Sequence, residues 1–325
     1  MGNSNSVAEF ECQVAVSDYK PIRKLNDKHL GDVTIMKNTK TGEVIFKKEI
    51  EITDINKYHR MIEDYSYHIS LKHRNIARIY GFRGADKHDL FKDTSHKISI
   101  FFEHLPESLE TILQKKRIQL PQTSNKRIFA GASTKAGFFE ESELLDIMFQ
   151  MVNALEHLQQ NNVSHGEIRP GSCFFAEDKS LKLVNQRVIC FTEPGFNKAK
   201  KGDTDIYLTP PAFEAIGKKE AEPLQNKYKS DVFSMGMTFL ECATLKKSTH
   251  VYDWNNFTVN PNILAARLEE VKKRYSATLY EMIKDMVEIE EGDRMDFIQL
   301  KQHISGEKRL KTTGLNSYRR LLVIF

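Results

Sequence analysis

The chain of 325 residues contains no run approaching the ~18 consecutive apolar residues that a membrane-spanning helix needs. It also lacks the short apolar core of a secretory signal near its start. Cysteine is scarce: Cys12, Cys173, Cys190 and Cys242 are scattered, with no CxxC and no histidine at metal-ligand spacing. That excludes a disulfide framework or a zinc site and points to reduced thiols in the cytoplasm. There is no internal repeat and no low-complexity tract. The charge excess is small as well, a formal +4. Five basic residues (Lys308, Arg309, Lys311, Arg319, Arg320) and no acid lie in the last 18 residues, so removing that tail takes the charge from +4 to −1. The body of the chain is therefore not a nucleic-acid binder by charge.

What remains is ordinary globular composition, 40% hydrophobic and 28% charged, enough for one large or two closely packed lobes. Val33–Met36, Val44–Lys48 and Lys97–Glu103 read as strands, and TKTGE (Thr39–Glu43) as the hairpin turn between the first two. Asp54–Leu71 reads as a helix. Leu144, Met148, Met151, Leu155 and Leu158 then recur at helical spacing. Asp231–Leu245 is apolar nearly all round, as a helix at the centre of a lobe must be. The expected fold class is α+β. A small N-terminal antiparallel sheet lobe with one helix (19–103) precedes a larger, mainly helical C-terminal lobe (104–304). An arm (1–18) leads in, a basic and apolar tail (305–325) leads out, and a polar surface insertion spans 117–137.

Seven segments follow one another in a set order. KLNDKHLGDV keeps Gly31 and Val33, VIFK ends at Lys47, HGEIRPGS spans His165–Ser172, and Asn185 stands thirteen residues beyond Ser172. TPP (Thr209–Pro211), SDVFSMG (Ser230–Gly236) and EGDRMDFIQL (Glu291–Leu300) complete the series. From about Tyr19 to Ile304 this resembles the protein kinases. The segments match in turn the glycine-rich loop, the VAIK strand, the HRDLKPEN catalytic loop, DFG, APE, the start of the central helix and the late arginine segment.

The resemblance implies a bilobal fold with a nucleotide cleft, and each departure from it can be weighed chemically. Phosphoryl transfer needs charge placement: a metal on the phosphates, a positioned hydroxyl and neutralised negative charge. Ser172 and Asn185 stand at the two metal positions, and neither brings the anionic oxygen that Mg²⁺ favours. Glu167 replaces the catalytic aspartate with a side chain one methylene longer, and Arg169 replaces the loop lysine. Asn26 and Lys28 replace the first two glycines of the phosphate loop, where side chains keep the backbone from the phosphates.

The resemblance places Lys47, Gly31, Val33, Ile45, Glu103 and Phe174 at nucleotide-contacting positions. Ile45 would roof the adenine slot and Phe174 would floor it, narrowing it from both sides. A one-residue shift of register would exchange Lys47 with Lys48. The helix partner of the lysine falls at Asp64 by spacing, or at Glu63 with a one-residue shift. Gly166 replaces the arginine that meets an activation-segment phosphate, Gln186 replaces the DFG phenylalanine, and Pro211 leaves Arg294 without its expected carboxylate. His165, Asp231 and Gly236 are kept.

Most of the scaffold survives and most of the chemistry is changed. The expectation drawn from this is a pseudokinase that is not an enzyme: a scaffold or allosteric module with protein partners, no metal and no cofactor. Two alternatives stand beside it. One is a weak or atypical ATP-dependent protein Ser/Thr kinase, using Lys47, Lys28 and Glu167 without normal Mg²⁺ coordination. The other is a membrane-associated adaptor, since MGNSNS fits the N-myristoylation pattern at Gly2 and the 308–325 tail could add a second membrane contact. The expected location is the cytoplasm, at a membrane surface or within a larger assembly.

Overall fold

Alternation of apolar and polar residues makes the first lobe a sheet with two different faces. The computed structural model describes residues 14–87, 95–120 and 137–312. In it β1 (Tyr19–Asp27), β2 (Gly31–Asn38), β3 (Val44–Ile52), β4 (Ile79–Lys87) and β5 (Ser95–Glu103) form one antiparallel sheet in the order β1-β2-β3-β5-β4. The β2–β3 turn closes through Asn38, whose side-chain oxygen accepts the N–H groups of Lys40 and Thr41. α1 (Ile55–Ser70) begins where the Asp54 carboxylate accepts the N–H groups of Asn56 and Lys57. It turns Tyr58, Met61 and Tyr65 inward.

The inner sheet face carries Val33, Ile35, Phe46, Ile52 and Phe102, and its core runs on into Phe174 and Val184 of the second lobe. The outer face carries a separate small cluster of Tyr19, Met36, Ile45 and Phe101.

In the second lobe β6 (Glu107–Ser108) leads into α2 (Leu109–Gln119), capped by the Ser108 hydroxyl. α3 (Glu141–Gln160) buries the stripe of Leu144, Met148, Met151, Leu155 and Leu158 that its spacing predicts. β7 (Cys173–Phe175) and β8 (Leu181–Leu183) follow the loop that the site is built on. α4 (Gln186–Ile189), α5 (Gly195–Lys200) and α6 (Pro210–Gly217) follow, ahead of the central α7 (Lys227–Thr244). Every residue of α7 from Asp231 to Thr244 is buried. A two-stranded ribbon, β9 (Tyr252–Asp253) with β10 (Thr258–Val259), then α8 (Pro261–Arg274), α9 (Ala277–Met286) and α10 (Phe297–Thr312) complete the lobe.

Three expectations meet the structure differently. The stretch 117–137 was to be a loop, yet α2 runs to Gln119, and residues 121–136 lie outside the described residues. The tail was to begin at 305, yet α10 extends to Thr312; Gly2 and residues 313–325 lie outside the described residues. Arg294, deprived of a carboxylate by Pro211, is buried and satisfied by backbone. It donates to the carbonyls of Glu288, Lys229 and Ile289, and its guanidinium sits 4.9 Å from the Phe233 ring centre. No helix among the described residues is long and apolar enough to cross a membrane.

Asp231 ties α7 to the functional loop. Its buried carboxylate accepts the N–H of buried His165 at 2.7 Å and of Gly166, at the surface, at 2.8 Å. Burial pushes this carboxyl up to about 7 against the pull of the two donors. Asp231→Ala leaves both N–H groups without a partner and should cost about 2–4 kcal/mol, measured as a lowered urea midpoint.

Candidate active site

Strand alternation decides which lysine enters the cleft. Ile45, Lys47 and Glu49 share the outer face, where Lys47 pairs with Glu49 at 2.6 Å beside Lys97. Phe46 and Lys48 share the inner face. Lys48 is buried and donates to the carbonyl of Leu30, and its Nζ lies 3.2 Å from where a Cβ on Gly31 would sit. The register is thus one residue on from the Lys47 alignment, and Phe46, not Ile45, roofs the slot. Glu63 and Asp64 are both exposed on α1, and the inward residue beside them is Tyr65. The hydroxyl of Tyr65 is buried without a hydrogen-bond partner.

The turn between β1 and β2 is folded down onto the second lobe. Asp27 shapes its tip by accepting the N–H groups of His29 and Leu30, each at 2.8 Å. Lys28 reaches Glu110 at the start of α2 at 2.6 Å, and His29 Nε2 lies 2.9 Å from the other oxygen of the same carboxylate. The His29 ring rests against Gly171 of the catalytic loop, leaving no room for a Cβ there. Burial acts to raise the Glu110 pKa, but the hydrogen bonds from His29 and Lys28 prevail and hold the carboxyl well below its usual range. Lys28, which stands at a glycine position of the phosphate loop, is half of a clamp.

On the catalytic loop Glu167 is buried and fully engaged. Lys198 of α5 contacts its two oxygens at 2.7 and 2.9 Å, and Arg169 Nε donates to it at 3.1 Å. Gln186, whose burial needed partners, has them. It donates to the Gly171 carbonyl at 3.1 Å and accepts from Arg169 at 3.1 Å. Ser172 is closed on Arg169, donating to its carbonyl and accepting its N–H. Asn185 caps α4 by accepting the Arg187 N–H and lies 3.3 Å from His68 Nε2. Both oxygens are neutral and each is already taken by backbone groups, so these residues do not fit a magnesium ion in this arrangement. No cluster of three or more metal-ligating side chains occurs among the described residues.

The adenine slot is packed rather than open. Phe46, Val33, Phe102 and Phe174 belong to one buried cluster, and the Phe46 ring stands 5.5 Å from Phe102 and 4.9 Å from His104. Glu103 is occupied by Lys182 at 2.8 Å and by the N–H of Arg78 at 3.1 Å. A nucleotide base does not fit until the lobes part. α4 adds to the closure by burying Val188 and Ile189 in the small-lobe core. The Cys190 thiol, pushed by burial up to about 11, lies 3.5 Å from the Leu30 carbonyl.

Of the residues read from sequence, the structure gathers Val33, Phe174, Glu167, Arg169, Ser172 and Asn185 about one cleft, and it places Lys47 and Ile45 behind the sheet. It adds Lys48, Phe46, His29, Glu110 and Lys198. The alternating inner set of Phe46, Lys48 and Ile52 could have shown the first two. The contacts of Glu110 and Lys198 join residues 82 and 31 positions apart and leave no local signal.

The comparisons agree with this geometry. A family model described as protein tyrosine and serine/threonine kinase matches residues 23–304. The chain is 23% identical over 317 residues to a probable serine/threonine-protein kinase nek2 of Dictyostelium discoideum, covering 93% of this chain and 66% of that protein. It is 29% identical over 176 residues to the membrane-associated tyrosine- and threonine-specific cdc2-inhibitory kinase wee-1.3 of Caenorhabditis briggsae, covering 52% of this chain and 24% of that protein. A third likeness, to serine/threonine-protein kinase Nek4 of Mus musculus, is 25% over 154 residues, 47% of this chain and 18% of the other. The chain thus spans less than two thirds of each of these relatives. The match over 23–304 and relatives that are named kinases overturn the expectation of a non-enzyme, which rested chiefly on Ser172 and Asn185 and secondly on the narrowing of the slot by Ile45 and Phe174.

The clamp on Glu110 has a signed pH dependence. A carboxyl held below its unfolded value of 4.5 contributes stability above that pH and loses it as the pH falls further. Glu110→Gln should therefore be about 1–3 kcal/mol less stable than the parent at neutral pH. That gap should shrink steadily below pH ~4.5, measured by urea unfolding at several pH values.

Proposed function

Because the chain belongs to the protein tyrosine and serine/threonine kinase family, we propose that it is an ATP-dependent protein Ser/Thr kinase of atypical site chemistry, closed in the arrangement described. The observation that carries this reading is Glu167. A carboxylate remains on the loop held by Asp231, and a lysine of the activation segment lies across both its oxygens. Glu167 can hold the proton of an incoming hydroxyl once Lys198 leaves it. Arg169 and Lys48 bring positive charge to the same cleft. The names of the relatives support serine or threonine as the acceptor, and the acceptor is a protein.

Opening has two local requirements. The Lys28–His29 turn must leave Glu110, and α5 must withdraw Lys198 from Glu167. Both contacts are charge-assisted hydrogen bonds, so each resists opening by a modest amount.

The test is transfer of labelled phosphate from ATP to a serine- and threonine-rich acceptor protein, with Mg²⁺ and separately with Mn²⁺. Lys198→Ala should raise the rate by about tenfold by freeing Glu167. Lys48→Ala and Glu167→Gln should each lower it by about 100-fold. Failure of both the parent and Lys198→Ala to transfer phosphate with either metal would overturn the reading.

A further inference from the structure

α1 offers the small-lobe core no carboxylate. Glu63 and Asp64 are exposed, and the inward positions are Tyr58, Met61 and Tyr65. Tyr65 is wholly buried, its ring 5.4 Å from that of Phe82 and tilted to it by 39°. Its hydroxyl oxygen is buried too and meets no hydrogen-bond partner. Such a group is rare, because it has lost its water and gained nothing in return. Burial holds its pKa well above the usual phenol range, so it is a neutral hydroxyl throughout the neutral range of pH.

Lys48 stands in the same core with the opposite need. It is buried on the inner face of β3, where Phe46 and Ile52 share one apolar cluster with Tyr65 and Leu30. Its ammonium donates to the Leu30 carbonyl and is in no ion pair among the described residues. That carbonyl belongs to the β1–β2 turn, which departs when Lys28 and His29 leave Glu110. The Cys190 thiol lies 3.5 Å from the same carbonyl oxygen and is near enough to act on the Tyr65 hydroxyl. An ammonium among apolar side chains needs an acceptor, since an unpaired buried charge is far more costly than an unpaired hydroxyl. Opening therefore strands a donor in the core that already holds a stranded acceptor.

We propose that the Tyr65 hydroxyl accepts from Lys48 when the turn lifts, so that α1 holds the lysine in place for a nucleotide through a phenol oxygen rather than a carboxylate. The same oxygen then weighs against the closed arrangement, where it has no partner, and for the open one, where it gains Lys48. Tyr65 touches neither nucleotide nor acceptor protein; it is a positioning residue that acts through Lys48. The inference rests on the nucleotide-binding half of the kinase reading and not on phosphate transfer.

The experiment uses Tyr65→Phe in the full chain, a change that keeps the ring and removes only the oxygen. Two quantities are measured, the urea midpoint without ligand and the affinity for a fluorescent ATP analogue. The midpoint should rise, because an unsatisfied buried group has gone, while the analogue should bind at least about tenfold more weakly. A hydroxyl with a purely structural role moves these differently: its loss lowers the midpoint and leaves the affinity unchanged or higher. Either of those results would overturn the proposal. The comparison is repeated in the Glu110→Gln chain, whose turn is freed. There Tyr65→Phe should still weaken binding by at least about threefold, since the open form has lost its contact. No loss in that chain would place the whole effect in the closed form and overturn the pairing. If neither the parent nor Glu110→Gln binds the analogue, the kinase reading falls and the pairing with it. If both bind and Tyr65→Phe matches them, the pairing alone falls.

Discussion

Glu110 sits at the first turn of α2, almost wholly buried, and receives two partners from a hairpin tip that belongs to the other lobe. A carboxylate in that position must be paired, because an isolated buried charge costs far more than the pair gains. Lys28 and His29 supply the pairing, and in doing so they fix where the β1–β2 turn lies. With the turn down, the His29 ring covers Gly171, Lys48 is left bonding to the Leu30 carbonyl, and the roof at Phe46 rests near the floor at Phe174. The closed cleft follows from one electrostatic requirement met across the lobe boundary.

The second lobe is arranged to the same end by different means. α5 places Lys198 on Glu167, and α4 sends Val188 and Ile189 under the sheet where the inward side of α1 carries Tyr65 in place of a carboxylate. These contacts are hydrogen bonds and partial burial, each worth a few kcal/mol at most. A closed state built from such terms can be displaced by a ligand that binds the open one, because the ligand need only outweigh their sum. Substitution at Ser172 and Asn185 changes how a metal could be held, yet leaves the loop frame of His165, Gly166 and Asp231 in place. Frame and metal ligands are separable properties of this site.

Much of this was legible in the residues. Motif order located both lobes, the α3 stripe and the buried α7, because helix and strand periods are local properties. Gln186 was placed at the DFG phenylalanine position; that it is buried, with Gly171 and Arg169 as its partners, comes from the fold. The choice between Lys47 and Lys48 was open because two adjacent lysines in a strand differ only by register, and register is set by the core on one face. His29, Glu110 and Lys198 could not be found, since their roles come from contacts across the fold. The inference from Ser172 and Asn185 to a non-enzyme failed for a related reason. Two ligand positions bear on metal affinity, and by themselves they do not decide whether the site is active.

The most direct measurement is the equilibrium affinity of a fluorescent ATP analogue for the parent chain and for Glu110→Gln. If the clamp holds the cleft closed, breaking it removes an opening cost that the nucleotide must otherwise meet, and the variant should bind at least about tenfold more tightly. Equal or weaker binding by a folded Glu110→Gln chain would contradict the clamp as the cause of closure.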